Sequence, residues 1–490
     1  MTKSTLKVDD LLAMRTRAEL RAALSDGGGR LSLSDAQRVA SHAEALEPVT
    51  RSLRLGIIHT YTSEALDPWL SLAALLQGLR LDAYHAPYGL SLQEAEPASG
   101  LASHRPDVTL LMLRREDLHP DLGEPLARLS PVHASTLRHE IVERLAAIVG
   151  GFRAQPVGQI VLTVLPSMFP PGLGIYDAHS ERSESAWWAS LKADIARLLR
   201  ESIPASLFLD LDDLAQEVGR RQFFDPRYWY AARFPFTPTA AWEFARRVVA
   251  VGALLALPRA KVIVVDADNT LWGGVVGEDG LHGIALGHEY PGSAYRDFQR
   301  RLLDYQQRGF ILALCSKNNP EDLDQVLAEH PHQVLRDRHF AGRRVNWLPK
   351  PDNLLSLAEE LNVGLESFIV VDDSAHECAG IRQRFPQVEV VQTPSRPIEV
   401  PMCLDRVARL EVLSLTPEDL AKTELYARER RRRESRETME RTGVDVRDYL
   451  VSLKMTMRIG LDDADQVMRL SQLTQKTNQF NLSTRRYDEH

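Results

Sequence analysis

No stretch of this chain is apolar for long enough to cross a bilayer. The longest apolar run, "VVAVGALLALP" at 248–258, falls well short of the roughly 18 to 20 residues that a spanning helix needs, so no membrane segment is expected. Cysteine is scarce. Cys315, Cys378 and Cys403 cannot pair completely and show no metal-ligand spacing, so neither a disulfide scaffold nor a zinc site is expected, and the thiols should be free in a reducing compartment. Basic charge is also short: 59 Lys and Arg against 67 Asp and Glu give a net of -8. That balance lacks the basic footprint a phosphate backbone requires and argues against nucleic acid as the main partner. The start, "MTKSTLKVDDLLAMRTRAEL", mixes charges with apolar residues at helical spacing and has no continuous apolar core of a signal peptide, so a cytoplasmic location is expected.

What is present is an ordinary globular composition, 44% hydrophobic and 26% charged, on 490 residues. A single core rarely serves more than roughly 250 to 300 residues, so two or three domains are expected. Residues 1–50 read as a helical lead-in, with a cap-like Ser opening "SLSDAQRVASHAEAL". From 51 to 235, apolar bursts at "LRLGIIHTYT", "RLDAYHA", "DVTLLML", "GQIVLTVL" and "ASLFLDL" alternate with helical patterns, which predicts a parallel sheet covered on both faces. A connecting helix is expected over 236–260. A second α/β unit follows over 261–400, with strands at "KVIVVD", "FILALCS", "SFIVVDD" and "VEVVQT". Residues 401–445 read as a helical linker; its Arg430–Arg433 cluster is expected to be a solvated face, with docking of an acidic partner as the alternative. In 446–490, "LKMTMRIG" alternates as a half-buried strand does.

The segment "VVDADNTLWGGVVGEDG" at 264–280 ends a buried strand on Asp266 and Asp268, followed by Thr270 and Trp272. Carboxylates this close repel unless a cation or proton lies between them. Strand ends in a parallel sheet are where ligands sit. Two other strands end on Cys315 and Ser316 and on Asp372 and Asp373, and "NWLPKPDN" sets Lys350 just before a helix. Carboxylates from two strands suit Mg²⁺, which favours oxygen ligands. With charge neutralised by the metal and Lys350, one carboxylate can attack phosphorus, and the other can protonate the leaving oxygen and then act as base. Ser316 would bond a phosphoryl oxygen. The bland alternative for the Asp pair is a helix cap and a surface turn. "LFLDLDDLA" at 207–215 carries an Asp-x-Asp without the downstream set and reads as a loop end.

The ordered set resembles the haloacid dehalogenase (HAD) superfamily of phosphotransferases. The resemblance implies Asp266 as nucleophile, Asp268 as acid/base, Thr270, Ser316 and Lys350 at the phosphate, and a metal held by Asp266, Asp268, Asp372 and Asp373. About 46 residues separate Thr270 from Ser316, too few for a large cap, and "WGGVVGEDG" reads as a small β-hairpin flap, leaving the site open to a group tethered to a macromolecule.

"DNTLWGGVVGEDG", "CSKNN", "VNWLPKPDN", "VVDDS" and "LSQLTQKTNQFNLSTRRY" together look like the FkbH-like proteins of polyketide biosynthesis. This implies transfer of a glyceryl unit from 1,3-bisphosphoglycerate to the thiol of an acyl carrier protein, with removal of phosphate. Cys315 is then a candidate relay nucleophile; otherwise it is a small buried hydrophobe, and Cys378 and Cys403 are weaker candidates. The resemblance also implies an SGNH-hydrolase-like first α/β domain and a partial acetyltransferase-like (GNAT-like) tail. "LGIIHTYTSE" has no Gly-Asp-Ser, and Ser63, Asp67 and His104 do not make a recognisable triad, so the first domain is expected to scaffold or to dock the carrier. No acetyl-CoA binding is expected of the tail. Alternatives to the glyceryltransferase are a capless small-molecule phosphatase and a carrier-binding scaffold with a degenerate site.

Overall fold

The computed structural model describes residues 7–24, 31–89, 93–123 and 126–420, together with 422, 425, 426, 428 and 430. Most of the linker expected over 401–445, including Arg431 to Arg433, and the whole of 446–490 lie outside the described residues. Met1–Ala427 is one compact unit.

Two five-stranded sheets organise it, and every strand pairing in them is parallel. The first has β1 (Arg51–His59), β2 (Leu79–His85), β3 (Val108–Leu113), β4 (Gln159–Val164) and β5 (Ser206–Phe208) in the order β2-β1-β3-β4-β5. The second has β6 (Val262–Val265), β7 (Ile311–Ser316), β8 (Phe340–Val345), β9 (Phe368–Asp372) and β10 (Glu389–Gln392) in the order β10-β9-β6-β7-β8. The continuous apolar runs of β3, β6, β7 and β9 are buried along their whole length, because helices cover both faces of each sheet. Each sheet accordingly carries two apolar clusters, one per face.

The lead-in is part of the first core. Ser32 caps the helix Leu33–Leu46 by accepting from the Asp35 amide at 3.2 Å, and Leu11, Leu20, Leu24 and Val39 are buried in the cluster that covers β1. The helix Pro238–Ala256 lies against the same sheet, so close that a Cβ on Gly252 would stand 2.4 Å from Leu53 Cδ2.

Three expectations change. β8, "FAGRRV", has no strand-like apolar alternation, yet it pairs with β7 as an edge strand whose last three residues are only half-buried. The expected hairpin after Trp272 is instead a short helix, Val276–Asp279, closed by one isolated antiparallel bridge between Gly273 and Ala285. Asp279 accounts for this, since its carboxylate accepts from the Val275 amide at 2.8 Å and winds the segment into a turn. Residues 397–410 form short 3-10 turns whose Val400, Leu404 and Leu410 are buried in the second core, so the chain here finishes that domain rather than leaving it.

Candidate active site

β6 and β9 are neighbours, and both run out at one edge of the second sheet. The Asp266 amide donates to Val371 O at 2.9 Å, which extends the pairing and fixes Asp266 beside Asp372, the last residue of β9. Beyond Asp266 the chain turns sharply: Leu271 N donates to Ala267 O at 2.7 Å, and Asn269 takes a left-handed φ of 52°. Asn tolerates this conformation, and its side chain accepts from the Gly274 amide at 2.9 Å.

Lys350 is the first residue of the helix Lys350–Leu361. Side-chain amide bonds between Asn346 and Asn353 hold the preceding loop, and the Lys350 stem is buried. Its Nζ lies 2.5 Å from Asp372 Oδ2 and 2.9 Å from Asp266 Oδ1. The second contact is an ion pair without hydrogen-bond alignment, so buried Asp266 Oδ1 has no hydrogen-bond donor. Burial pulls against the Lys350 charge, but the two carboxylates outweigh it and hold the ammonium above its ordinary range. Burial raises Asp372 to about 6, with Lys350 opposing and Asp266 reinforcing the shift. Asp373 is raised too, by burial first and then by Asp266.

Oxygens of Asp266, Asp372 and Asp373 all lie within 4.8 Å of one another. Three carboxylates against one ammonium leave a negative excess at a largely buried place. A hard divalent cation fits that donor set and would offset the charge that Lys350 alone leaves unbalanced.

Asp268, expected to be a metal ligand as well, is not in that cluster. Its Oδ1 accepts from Trp272 Nε1 at 2.9 Å and from the Val276 amide at 3.1 Å, and its Oδ2 accepts from Asn318 Nδ2 at 2.9 Å. Burial nevertheless raises its pKa above the usual carboxylate range, which suits a proton donor. Ser316 is buried at the end of β7, and its Oγ accepts from the same Asn318 amide group at 3.1 Å. Asn318 and Trp272 therefore position the expected acid. "CSKNN" offers no sign of which polar residue turns inward.

Thr270 and Cys315 lie outside the carboxylate cluster itself. Thr270 is fully buried with its hydroxyl 3.3 Å from Thr393 Oγ1, so it ties the loop after β6 to the end of β10. Cys315 points into the cluster formed by Val262, Val264, Leu354 and Val370, on the opposite side of the strand from Ser316. Burial pushes its thiol up to about 12, the environment of a packing residue rather than of a thiolate nucleophile. In the first sheet His104 bonds Asp82 O, while Ser63 and Asp67 both bond His85, a residue sequence reasoning passed over. A cleft of about 490 Å³ opens beside the carboxylates, lined by Asn269, Tyr295, Asp373, Gln392, Thr393 and Ser395, among others.

No protein-family model matches the chain, and no curated protein sequence does. Among solved structures it is similar to the N-terminal part of a Bacteroides fragilis protein containing a phosphatase domain, complexed with Mg. The TM-score is 0.66 at 22% identity, over 78% of this chain and 100% of that one. That likeness shows the fold, which is α/β with two parallel sheets. More distant are a HAD family enzyme of Bacteroides thetaiotaomicron complexed with magnesium and inorganic phosphate (TM-score 0.20, 13% identity, 28% of this chain and 95% of that) and a salicylyl-acyltransferase from a tetracycline biosynthetic pathway (TM-score 0.25, 18% identity, 42% and 56%). Scores this low carry no argument about this chain.

Proposed function

We propose that this chain is a Mg²⁺-dependent phosphotransferase that releases phosphate from a glyceryl phosphate and loads the glyceryl unit of 1,3-bisphosphoglycerate onto an acyl carrier protein thiol. The observation that carries the phosphotransfer reading is the convergence of Asp266 and Asp372 from adjacent strands on Lys350, with an Asp266 oxygen left without a hydrogen-bond donor. The glyceryl and carrier steps rest on the resemblance to FkbH-like proteins.

Asp266 attacks phosphorus, the bond from phosphorus to the glyceryl oxygen breaks, and Asp268 gives that oxygen a proton. Asp268 then takes a proton from water as it attacks the aspartyl phosphate, releasing phosphate and restoring Asp266. Lys350 and Ser316 hold the phosphoryl oxygens. Asp266, Asp372 and Asp373 would hold Mg²⁺, which would supply positive charge against the phosphate and the buried carboxylates. For acyl transfer, the carrier thiol attacks the carbonyl of the acyl phosphate and phosphate leaves; buried Cys315 is not needed as a relay.

Incubation with carrier, Mg²⁺ and 1,3-bisphosphoglycerate, followed by intact mass of carrier and enzyme, tests the proposal. Glyceryl on the carrier is expected, and it should persist in Cys315→Ala. Phosphate release alone would reduce the function to a small-molecule phosphatase, and no change in either would remove both readings.

A further inference from the structure

The cleft beside the carboxylates holds a buried polar group that the phosphotransfer chemistry does not use. Tyr295 comes from the first turn of the helix Gly292–Gln307 and is only 6% exposed, yet it lines the cleft. Its ring is seated against Gly273, where a Cβ would stand 2.8 Å from Tyr295 Cε2, and Gly273 is itself held by the bridge to Ala285. The missing side chain at 273 therefore fixes where the ring lies. Among the described residues the Tyr295 hydroxyl has no hydrogen-bond partner, and it opens on the cleft rather than into the core. Burial, and then the charge of Asp373, hold the phenol above its ordinary range, so the hydroxyl keeps its proton and can only gain by donating it.

The rest of the lining is polar and almost uncharged. Gln392, the last residue of β10, gives its Nε2 to Asp373 O at 3.3 Å, which leaves its Oε1 to accept, and exposed Ser395 adds a hydroxyl. A donor, an acceptor and a hydroxyl suit a group that both gives and takes hydrogen bonds. Asp373 is the one charged residue of the lining, and its oxygen lies within 4.8 Å of those of Asp266 and Asp372, so the cleft begins at the carboxylates. Lys350 is committed to Asp266 and Asp372, and Arg396, next to Ser395 in the chain, pairs with Glu399 at 2.7 Å. A second anion would enter the cleft with no positive charge from its lining to meet it.

We propose that this cleft receives the part of the substrate beyond phosphorus and selects a neutral, hydroxyl-bearing group, with the Tyr295 hydroxyl as the specificity-determining donor. The subsite rests on the phosphotransfer reading, which sets the phosphate at the carboxylates. It narrows the substrate class to phosphomonoesters of uncharged alcohols that carry further hydroxyl or carbonyl oxygens, and it disfavours a free carboxylate at the far end.

The test is equilibrium binding to the full chain in Mg²⁺, carrying Asp266→Asn so that nothing turns over. The probes are glycerol 3-phosphate, propyl phosphate, which has the same carbon skeleton without hydroxyls, and 3-phosphoglycerate. Glycerol 3-phosphate should bind more tightly than either of the others. Tyr295→Phe keeps the ring against Gly273 and should weaken glycerol 3-phosphate about 3- to 10-fold while leaving propyl phosphate unchanged, whereas a packing defect would move both alike. Release of phosphate from propyl phosphate by the chain with Asp266 intact is measured alongside; its absence would remove the phosphotransfer reading and the subsite with it. With that release present, the subsite alone is overturned if glycerol 3-phosphate has no advantage, if its advantage survives Tyr295→Phe, or if 3-phosphoglycerate binds more tightly.

Discussion

Lys350 sets one ammonium against two buried carboxylates, and that imbalance decides how the candidate site responds to change. Removing one partner of a buried ion pair typically costs about 3 to 5 kcal/mol, so Lys350→Met should destabilise the metal-free protein by that order in denaturant unfolding. Asp372 gives a pH dependence of opposite sign to the usual carboxylate. Its folded pKa of about 6 lies above the unfolded value near 4, so the native state binds more protons between them and stability falls as pH rises through that window. Melting temperatures of chelator-treated protein should decline from about pH 4 to about pH 6, and Asp372→Asn should flatten the decline. Asn318→Ala should lower kcat about 10- to 100-fold by loosening Asp268 and leave the Mg²⁺ requirement unchanged; a matching loss of Mg²⁺ affinity would show that Asn318 serves the metal ligands instead. Asp266, Asp268, Ser316, Lys350, Asp372 and Asp373 were all readable as candidates, because their residue types and order follow from the chemistry. Their division of labour was not: Asp268 leaves the metal cluster only because Trp272, Val276 and Asn318 hold it elsewhere, and those contacts exist only after folding.

At the level of elements, the strands buried on both faces were legible, since continuous Val, Ile and Leu runs have few other places to go. β8 was not. An edge strand needs apolar residues on fewer positions, and "FAGRRV" spends two of six on arginines that pair outward with Asp324, Asp337 and Glu360. The misread hairpin has the same origin: glycines permit either a hairpin or a turn, and the Asp279 carboxylate decides between them. Helix-to-sheet spacing gives a separate test. Gly252→Val would drive a Cβ into Leu53 and force the helix Pro238–Ala256 off β1, for a loss of about 1 to 3 kcal/mol in unfolding experiments.

Across the whole molecule, one compact unit holds two parallel sheets, each with chemistry-bearing residues at the carboxyl ends of its strands. Only the second showed its chemistry in the sequence, where three strand ends and a helix start repeat a recognisable order of Asp, Ser, Lys and Asp. Ser63, Asp67 and His85 meet through the crossover from β1 to β2, with no spacing that announces it. The central claim is that Asp266 takes the phosphoryl group. It is tested most directly by acid-quenching the Mg²⁺-loaded protein during turnover of a glyceryl phosphomonoester and mapping the phosphorylated peptide by mass. One phosphoryl group on Asp266 is expected, absent in Asp266→Asn and after chelation; labelling that survives Asp266→Asn, or turnover of phosphate that does, would contradict the account.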